Sequence, residues 1–254
     1  MFRRSRKHVL DWVGADEGNF IHSLNDFIEP TGARVSSQDR WMPRGFNESD
    51  EVLLDELGSD WLAHDVRDEI TRWWLVYHER ANTPNWDLLA TCSVKDQRGL
   101  VLIEAKAHGN ELKRDGKPLS PKASSRSREN HVQIGSAIQE ACQGLNTPPW
   151  SGFKITRDSH YQLANRLAFA WKLATLGVPT VLMYLGFVGD TGIPAAESPF
   201  MSGDEWATAM KNYAKGVLPD DFVKLAVEDQ AVMLCGRVPF AFLIRSRHIL
   251  SPTI

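Results

Sequence analysis

The unbroken apolar run Leu-Val-Leu-Ile at residues 100–103 constrains the fold of this chain more than any other feature of the sequence. A strand that is apolar at every position buries both of its faces, so its sheet must be covered on both sides. Residues 88–94, just upstream, are also rich in β-forming side chains, and Lys-Asp-Gln-Arg-Gly at 95–99 supplies the residue types of a turn. The sequence therefore predicts a hairpin in the core of the protein.

Helical patterns surround this hairpin. Apolar side chains recur at three- and four-residue steps over residues 61–77, which predicts an amphipathic helix with Asp60 as its N-cap. Further helices and strands are predicted at residues 130–144, 159–176 and 203–215 and at residues 181–188 and 239–245. Gly177 should end the helix before it with a left-handed residue. Strands that alternate with helices predict an α/β fold in which a central mixed sheet is flanked by helices.

Length and composition suit one large domain. Residues 51–254 are predicted to form it, including C-terminal additions, and residues 1–50 to form an N-terminal extension packed on the core. The three cysteines are far apart and contain no C-x-x-C pair, which favours a reducing compartment over a disulfide framework. No run of about 18 apolar residues occurs, so we expect a soluble, cytoplasmic protein without a membrane partner. The net charge of −3 leaves room for a local basic surface that binds nucleic acid.

Charged residues stand at the ends of the two hairpin strands. Asp87 precedes the first strand, and Glu104 and Lys106 close the second, with Ala105 between them. The two-residue period of a strand puts Glu104 and Lys106 on one face, and the turn brings Asp87 back beside them. Two carboxylates can hold Mg²⁺, and the Ala105 carbonyl is a further candidate ligand. Lys106 could orient or deprotonate a water, or stabilise charge on a phosphate.

At these residues the sequence resembles the PD-(D/E)XK nuclease superfamily, over roughly residues 55–190. The motif is an acidic residue at the start of one strand and (D/E)-x-K on the next, here Asp87 and, seventeen positions later, Glu104-Ala105-Lys106. The resemblance implies a restriction-endonuclease-like fold with a core of helix, three strands, helix and strand. It also implies Mg²⁺-dependent hydrolysis of phosphodiester bonds, in DNA or in RNA, with Mn²⁺ as a substitute. Members that cut duplexes often dimerise, so a homodimer is compatible with it.

The resemblance suggests two more site residues. Many members carry an acid on the helix before the motif, and Glu69 matches it as a metal ligand. Many also carry a catalytic Gln on a later helix, and Gln162 matches that position. The chain departs from the pattern at Trp86, where Pro is usual, and at Arg166, where the exonuclease branch has Tyr.

A basic segment follows the motif. Residues 105–131 contain seven basic and three acidic side chains. We predict a mobile, polar stretch at residues 109–130 that contacts DNA phosphates without selecting a sequence. The candidate nucleic-acid-binding residues are Lys113, Arg114, Lys117, Lys122, Arg126 and Arg128.

Other interpretations remain open at this stage. E-x-K tripeptides are common, so Glu104 and Lys106 could be a solvated strand end. The fold could also serve as a non-catalytic nucleic-acid-binding or assembly module, or belong to an unrelated α/β enzyme that acts on a small phosphorylated substrate.

Overall fold

The computed structural model describes residues 4–79 and 81–249, which form an α/β protein with a mixed seven-stranded sheet and seven α-helices. The helices are α1 Arg4–Val13, α2 Glu17–Ile28, α3 His64–Trp74, α4 Ser125–Leu145, α5 Tyr161–Thr175, α6 Gly203–Ala214 and α7 Asp220–Glu228. The strands are β1 Ala33–Arg34, β2 Trp41–Met42, β3 Val52–Leu53, β4 Asn85–Trp86, β5 Leu88–Val94, β6 Gln97–Lys106, β7 Thr180–Val188, β8 Ala231–Cys235 and β9 Val238–His248. Strands β3 and β4 form a separate two-stranded sheet.

The predicted hairpin is confirmed and lies inside the large sheet. Strands β5 and β6 pair antiparallel, with Leu88 opposite Ile103. The turn between them uses two residues with positive φ, Lys95 at 47° and Asp96 at 65°. Alternate residues of β6 belong to two different cores, so this strand is buried on both faces, as its apolar run predicts.

The sheet continues away from β6 through long connections. Its order is β1-β5-β6-β7-β9-β8, and β2 also pairs with β5. Strand β7 is parallel to β6 and β9 is parallel to β7, whereas β8 is antiparallel to β9. Helices α1 and α2 cover one face of the sheet, and α3 to α7 contribute to the core on the other face. The predicted mixed sheet flanked by helices is therefore confirmed.

Two helix starts differ from the prediction. Helix α3 begins at His64 with Ala63 as its N-cap, so Asp60 lies outside the helix, where its carboxylate pairs with Arg40 at 2.8 Å. Helix α4 begins at Ser125, five residues earlier than predicted, because the Ser124 side chain caps it. The prediction for Gly177 is confirmed, since it follows α5 with a φ of 89°.

Both ends of the described chain contribute to the sheet. Residues before position 50 supply β1 and β2, which pair directly with β5, so this region is part of the sheet as well as packed on it. The C-terminal part supplies β9 and two elements that the sequence did not predict, α7 and β8. Within the described residues, every helix is too short or too polar to cross a lipid bilayer.

Candidate active site

Neighbouring strands bring the two predicted carboxylates together. The register pairs Leu88 with Ile103, and one further step sets Asp87 opposite Glu104 on the same face. The Oδ2 atom of Asp87 accepts a hydrogen bond of 2.8 Å from the backbone N–H of Ala105. The hairpin therefore delivers Asp87 to the end of β6, as the motif requires.

The Glu104 carboxylate is fully enclosed by donors. It is only 1% exposed. Lys106 Nζ and Gln162 Nε2 donate to its Oε1 atom at 2.5 and 2.7 Å, and Arg166 Nε donates to its Oε2 atom at 2.6 Å. Gln162 and Arg166 are one helical turn apart on α5, so both reach the same carboxylate. The structure thus brings four residues together: Asp87, Glu104 and Lys106, which we call the acid–lysine cluster, and the predicted Gln162.

The two departures from the family motif contact each other. The guanidinium of Arg166 lies 4.6 Å from the ring centroid of Trp86, a cation–π distance. Its Nη1 atom also donates to Asn165 Oδ1 at 2.8 Å. Trp86 therefore packs against the arginine that pairs with Glu104.

Burial and mutual charge set the protonation of the cluster. Burial, then the charge of Glu104, raises the pKa of Asp87 to about 7. Burial alone would raise the pKa of Glu104, but Arg166 and Lys106 outweigh it and the pKa is lowered. Burial alone would lower the pKa of Lys106, but Glu104 and Asp87 outweigh it and the pKa is raised. At neutral pH, Glu104 and Lys106 are charged, whereas Asp87 is close to half ionised.

We expect the Asp87 carboxylate to destabilise the metal-free protein as the pH rises. Its folded-state pKa is raised, so its stabilising effect is full below the unfolded pKa, near 3.8, and is lost as the pH passes about 7. Relative to wild type, Asp87→Asn should gain on the order of 2–3 kcal/mol in free energy of unfolding from about pH 5 to about pH 8. Denaturant unfolding in EDTA measures this change. A pH-independent difference in stability between Asp87→Asn and wild type would contradict the shift.

A cleft of about 530 Å³ opens beside the cluster. Lys106, Gln162 and Arg166 line it, and these three also bind Glu104, so they connect the cleft to the buried carboxylate. The lining includes four basic residues, Lys106, Lys113, Lys117 and Arg166, and two acidic residues, Glu111 and Asp115. Lys106 and Arg166 already pair with Glu104, so Lys113 and Lys117 are the lining cations outside the acid–lysine cluster that could meet an anionic ligand.

The donor set of the cluster fits a hard cation. Mg²⁺ prefers oxygen ligands and is commonly bound by one or two carboxylates, with waters and substrate phosphates completing its shell. Asp87 and Glu104 supply two carboxylates from adjacent strands. Among residues 4–79 and 81–249, no set of three or more His, Cys, Asp or Glu side chains is arranged to hold a metal ion. Oε1 of Glu104 already accepts two hydrogen bonds and Oε2 accepts one, so a cation bound through Oε1 would displace Lys106 or Gln162.

Glu69 is not brought to the cluster. Its carboxylate pairs with Arg72 at 3.2 Å on the same helix, and Glu69 does not line the cleft. The reason is the orientation of α3, which buries Ile70, Trp73 and Trp74 and leaves Glu69 at the rim of that buried stripe. The structure gives no support to Glu69 as a metal ligand. Ala105, the other weaker candidate, buries its side chain on the opposite face and offers only its backbone.

Only part of the basic segment faces the cleft. Lys113 and Lys117 line it. The other candidates contact the protein elsewhere or are exposed: Arg114 donates to the Asn212 carbonyl, Arg126 pairs with Glu79, Arg128 donates to the carbonyls of Pro121 and Ala123, and Lys122 is exposed. Backbone hydrogen bonds join Arg114, Asp115 and Lys117 to residues 157–161, so this part of the segment is paired with the start of α5.

Sequence reasoning missed two residues near the cluster. Tyr184 is the register partner of Glu104 on β7, and its buried hydroxyl has no hydrogen-bond partner among the described residues. Tyr184 lies in an almost wholly apolar strand, so the sequence did not indicate that its hydroxyl is near the cluster. Glu111 lines the cleft and accepts hydrogen bonds from the Ala107 N–H at 2.6 Å and from Ser5 at 2.7 Å. Its position five residues after Lys106 was the available signal.

No protein-family model matches this chain, and comparisons with curated proteins and with solved structures give no match. Any functional assignment therefore depends on the residues and their geometry.

Proposed function

We propose that this chain is a Mg²⁺-dependent nuclease with a restriction-endonuclease-like fold that hydrolyses phosphodiester bonds in DNA. The observation that carries the proposal is the convergence of Asp87, Glu104 and Lys106 at one strand end beside a basic cleft. The order α3, β5, β6, α4, α5, β7 also resembles the core of that superfamily, with two strands of the large sheet in place of three before the helices and the last strand.

The residues of the site would have different roles in the reaction. Asp87 and Glu104 would hold the cation, which when bound acidifies a water and neutralises charge on the phosphate. Lys106 carries a proton, since its pKa is raised, so its role is to donate hydrogen bonds and stabilise developing negative charge. This favours electrostatic assistance over the general-base alternative for Lys106. Gln162 and Arg166 fix the orientation of Glu104.

One observation favours a second candidate function. Because Lys106, Gln162 and Arg166 already satisfy both oxygens of Glu104, the cluster is stable as a purely structural ion-pair network. Such a protein would bind nucleic acid through the same basic cleft without cutting it. The two candidates differ in one respect: a nuclease breaks phosphodiester bonds when a divalent cation is present, whereas a binding module leaves the nucleic acid intact.

Wild-type protein should cleave plasmid and linear DNA in Mg²⁺ or Mn²⁺ and should be inactive in EDTA. Asp87→Ala should lower the cleavage rate by at least about 10²-fold, since one of the two cation ligands is lost. Gel assays measure the rates, with Asp68→Ala on the exposed side of α3 as the matched control. Retarded migration without cleavage would support the binding module instead. Cleavage of RNA of the same sequence, but not of DNA, would overturn DNA as the substrate.

A further inference from the structure

Lys117 is a half-buried cation without an anionic partner. Its Nζ atom lies 4.9 Å from the ring centroid of Tyr161. None of the ion pairs among the described residues includes Lys117, and burial lowers its pKa without an opposing acidic neighbour. A lysine placed in a cleft in this way is costly for the protein alone, so its position points to a negatively charged ligand.

The backbone around Lys117 is fixed in advance. Its N–H donates to the Arg157 carbonyl at 2.9 Å, and the Tyr161 N–H donates to the Asp115 carbonyl at 3.0 Å. Gly116 packs so closely that a Cβ atom there would lie 2.4 Å from the Asp158 carbonyl oxygen. The lysine is thus held over the cleft without a ligand, which reduces the entropy lost on binding.

Lys117 is joined to the acid–lysine cluster through α5. This helix begins at Tyr161, whose ring lies against Lys117, and five residues later it presents Arg166, whose Nε atom donates to Glu104. Arg166 is 6% exposed and lines the cleft. The described residues offer no acceptor to its Nη2 atom, although its Nε and Nη1 atoms are both bonded. Two cationic groups therefore face the same cleft with donors to spare.

We infer that Lys117, together with Arg166, forms a binding subsite for the backbone phosphate that flanks the scissile phosphate of a nucleic-acid strand. Tyr161 would lie against the sugar or base between the two phosphates, since aromatic rings provide stacking surfaces for nucleotides of any sequence. Cleavage of the neighbouring phosphate rests on the proposed nuclease function, but the phosphate-binding subsite does not. Lys117 belongs to this subsite because it lines the cleft, whereas Lys122 is exposed and lies outside it.

Binding of a short fluorescein-labelled single-stranded DNA in EDTA tests the subsite without cleavage. Fluorescence anisotropy over a range of salt concentrations gives the affinity and its salt dependence. Loss of one phosphate contact should reduce the slope of log K against log salt by about 0.7. We expect this reduction, with roughly five- to tenfold weaker binding at low salt, for Lys117→Gln. Lys117→Arg should keep the wild-type slope because it keeps the charge, and Lys122→Gln should keep it because that side chain is outside the cleft.

The subsite is overturned if wild type does not bind the probe or if Lys117→Gln keeps the wild-type slope. It is also overturned if the slope falls in Lys117→Arg, or if it falls as much in Lys122→Gln as in Lys117→Gln. The cleavage assay separates this result from the nuclease proposal. If wild type cleaves DNA with metal and Lys117→Gln keeps the wild-type slope, the nuclease proposal stands and the subsite proposal is wrong. If wild type does not cleave DNA and Lys117→Gln has a reduced slope, the subsite proposal stands and the nuclease proposal is wrong.

Discussion

Replacing Lys106 by alanine should lower Mg²⁺-dependent DNA cleavage by about 10²- to 10⁴-fold. The ammonium group lies 2.5 Å from Glu104 Oε1, is buried, and faces the cleft, so it is fixed beside the place where phosphate charge would develop. Electrostatic groups held in a site that excludes water contribute more to a transition state than they would in solution. Single-turnover cleavage rates measure the loss.

The control for this prediction is Lys224→Ala, an exposed lysine on α7, which should cleave at the wild-type rate. Binding of the DNA should change much less than its cleavage in Lys106→Ala, because the other basic residues of the cleft remain. Equal losses in binding and in cleavage would show that Lys106 only attracts the substrate. A wild-type cleavage rate would remove Lys106 from the reaction.

Replacing Arg166 by methionine should lower the free energy of unfolding at neutral pH by about 3–5 kcal/mol. Arg166 donates to a carboxylate that is 1% exposed, so its loss leaves Glu104 with one charged partner instead of two. The loss should be smaller near about pH 4, because the Glu104 carboxyl of the variant can then take up a proton. Denaturant unfolding at both pH values measures it.

A double variant separates the charge effect from the loss of packing against Trp86. Adding Glu104→Gln to Arg166→Met should recover part of the lost stability, since position 104 then carries no buried charge to neutralise and Lys106 keeps Asp87 as its acidic neighbour. The control is Arg237→Met in the exposed β8–β9 turn, which should change stability by less than about 0.5 kcal/mol. Additive effects of the two core substitutions would show that Glu104 and Arg166 do not depend on each other.

The sequence predicted the hairpin and its charged ends because both depend on neighbouring residues. A strand period of two and a turn at residues 95–99 are enough to place Asp87 beside Glu104, and the structure confirms that placement. The same local reasoning recovered Gly177 as the residue that ends α5. Where the partners of a residue are close in sequence, the pattern contains most of the information.

Residues whose partners are distant in sequence were predicted less well. Asp60 was expected to cap α3, but the helix begins four residues later and the Asp60 carboxylate pairs with Arg40, a partner that a helix pattern does not indicate. Arg166 was recognised only as a departure from a motif, because its burial against Trp86 and Glu104 depends on how α5 packs on the sheet. The exposure of Glu69 depends on the rotation of α3, and a shift of one position along a helix changes which side chain faces the core.

The parallel pairing of β6 with β7 fixes the order in which a growing chain can complete the site. Glu104 leaves the ribosome together with Lys106, but α5 and β7 are translated only after the long crossover that follows β6. Until then β6 lacks its parallel partner, and Glu104 lacks the hydrogen bonds that Gln162 and Arg166 donate. A chain that ends before α5 and β7 therefore has both carboxylates and Lys106 but cannot form the complete site.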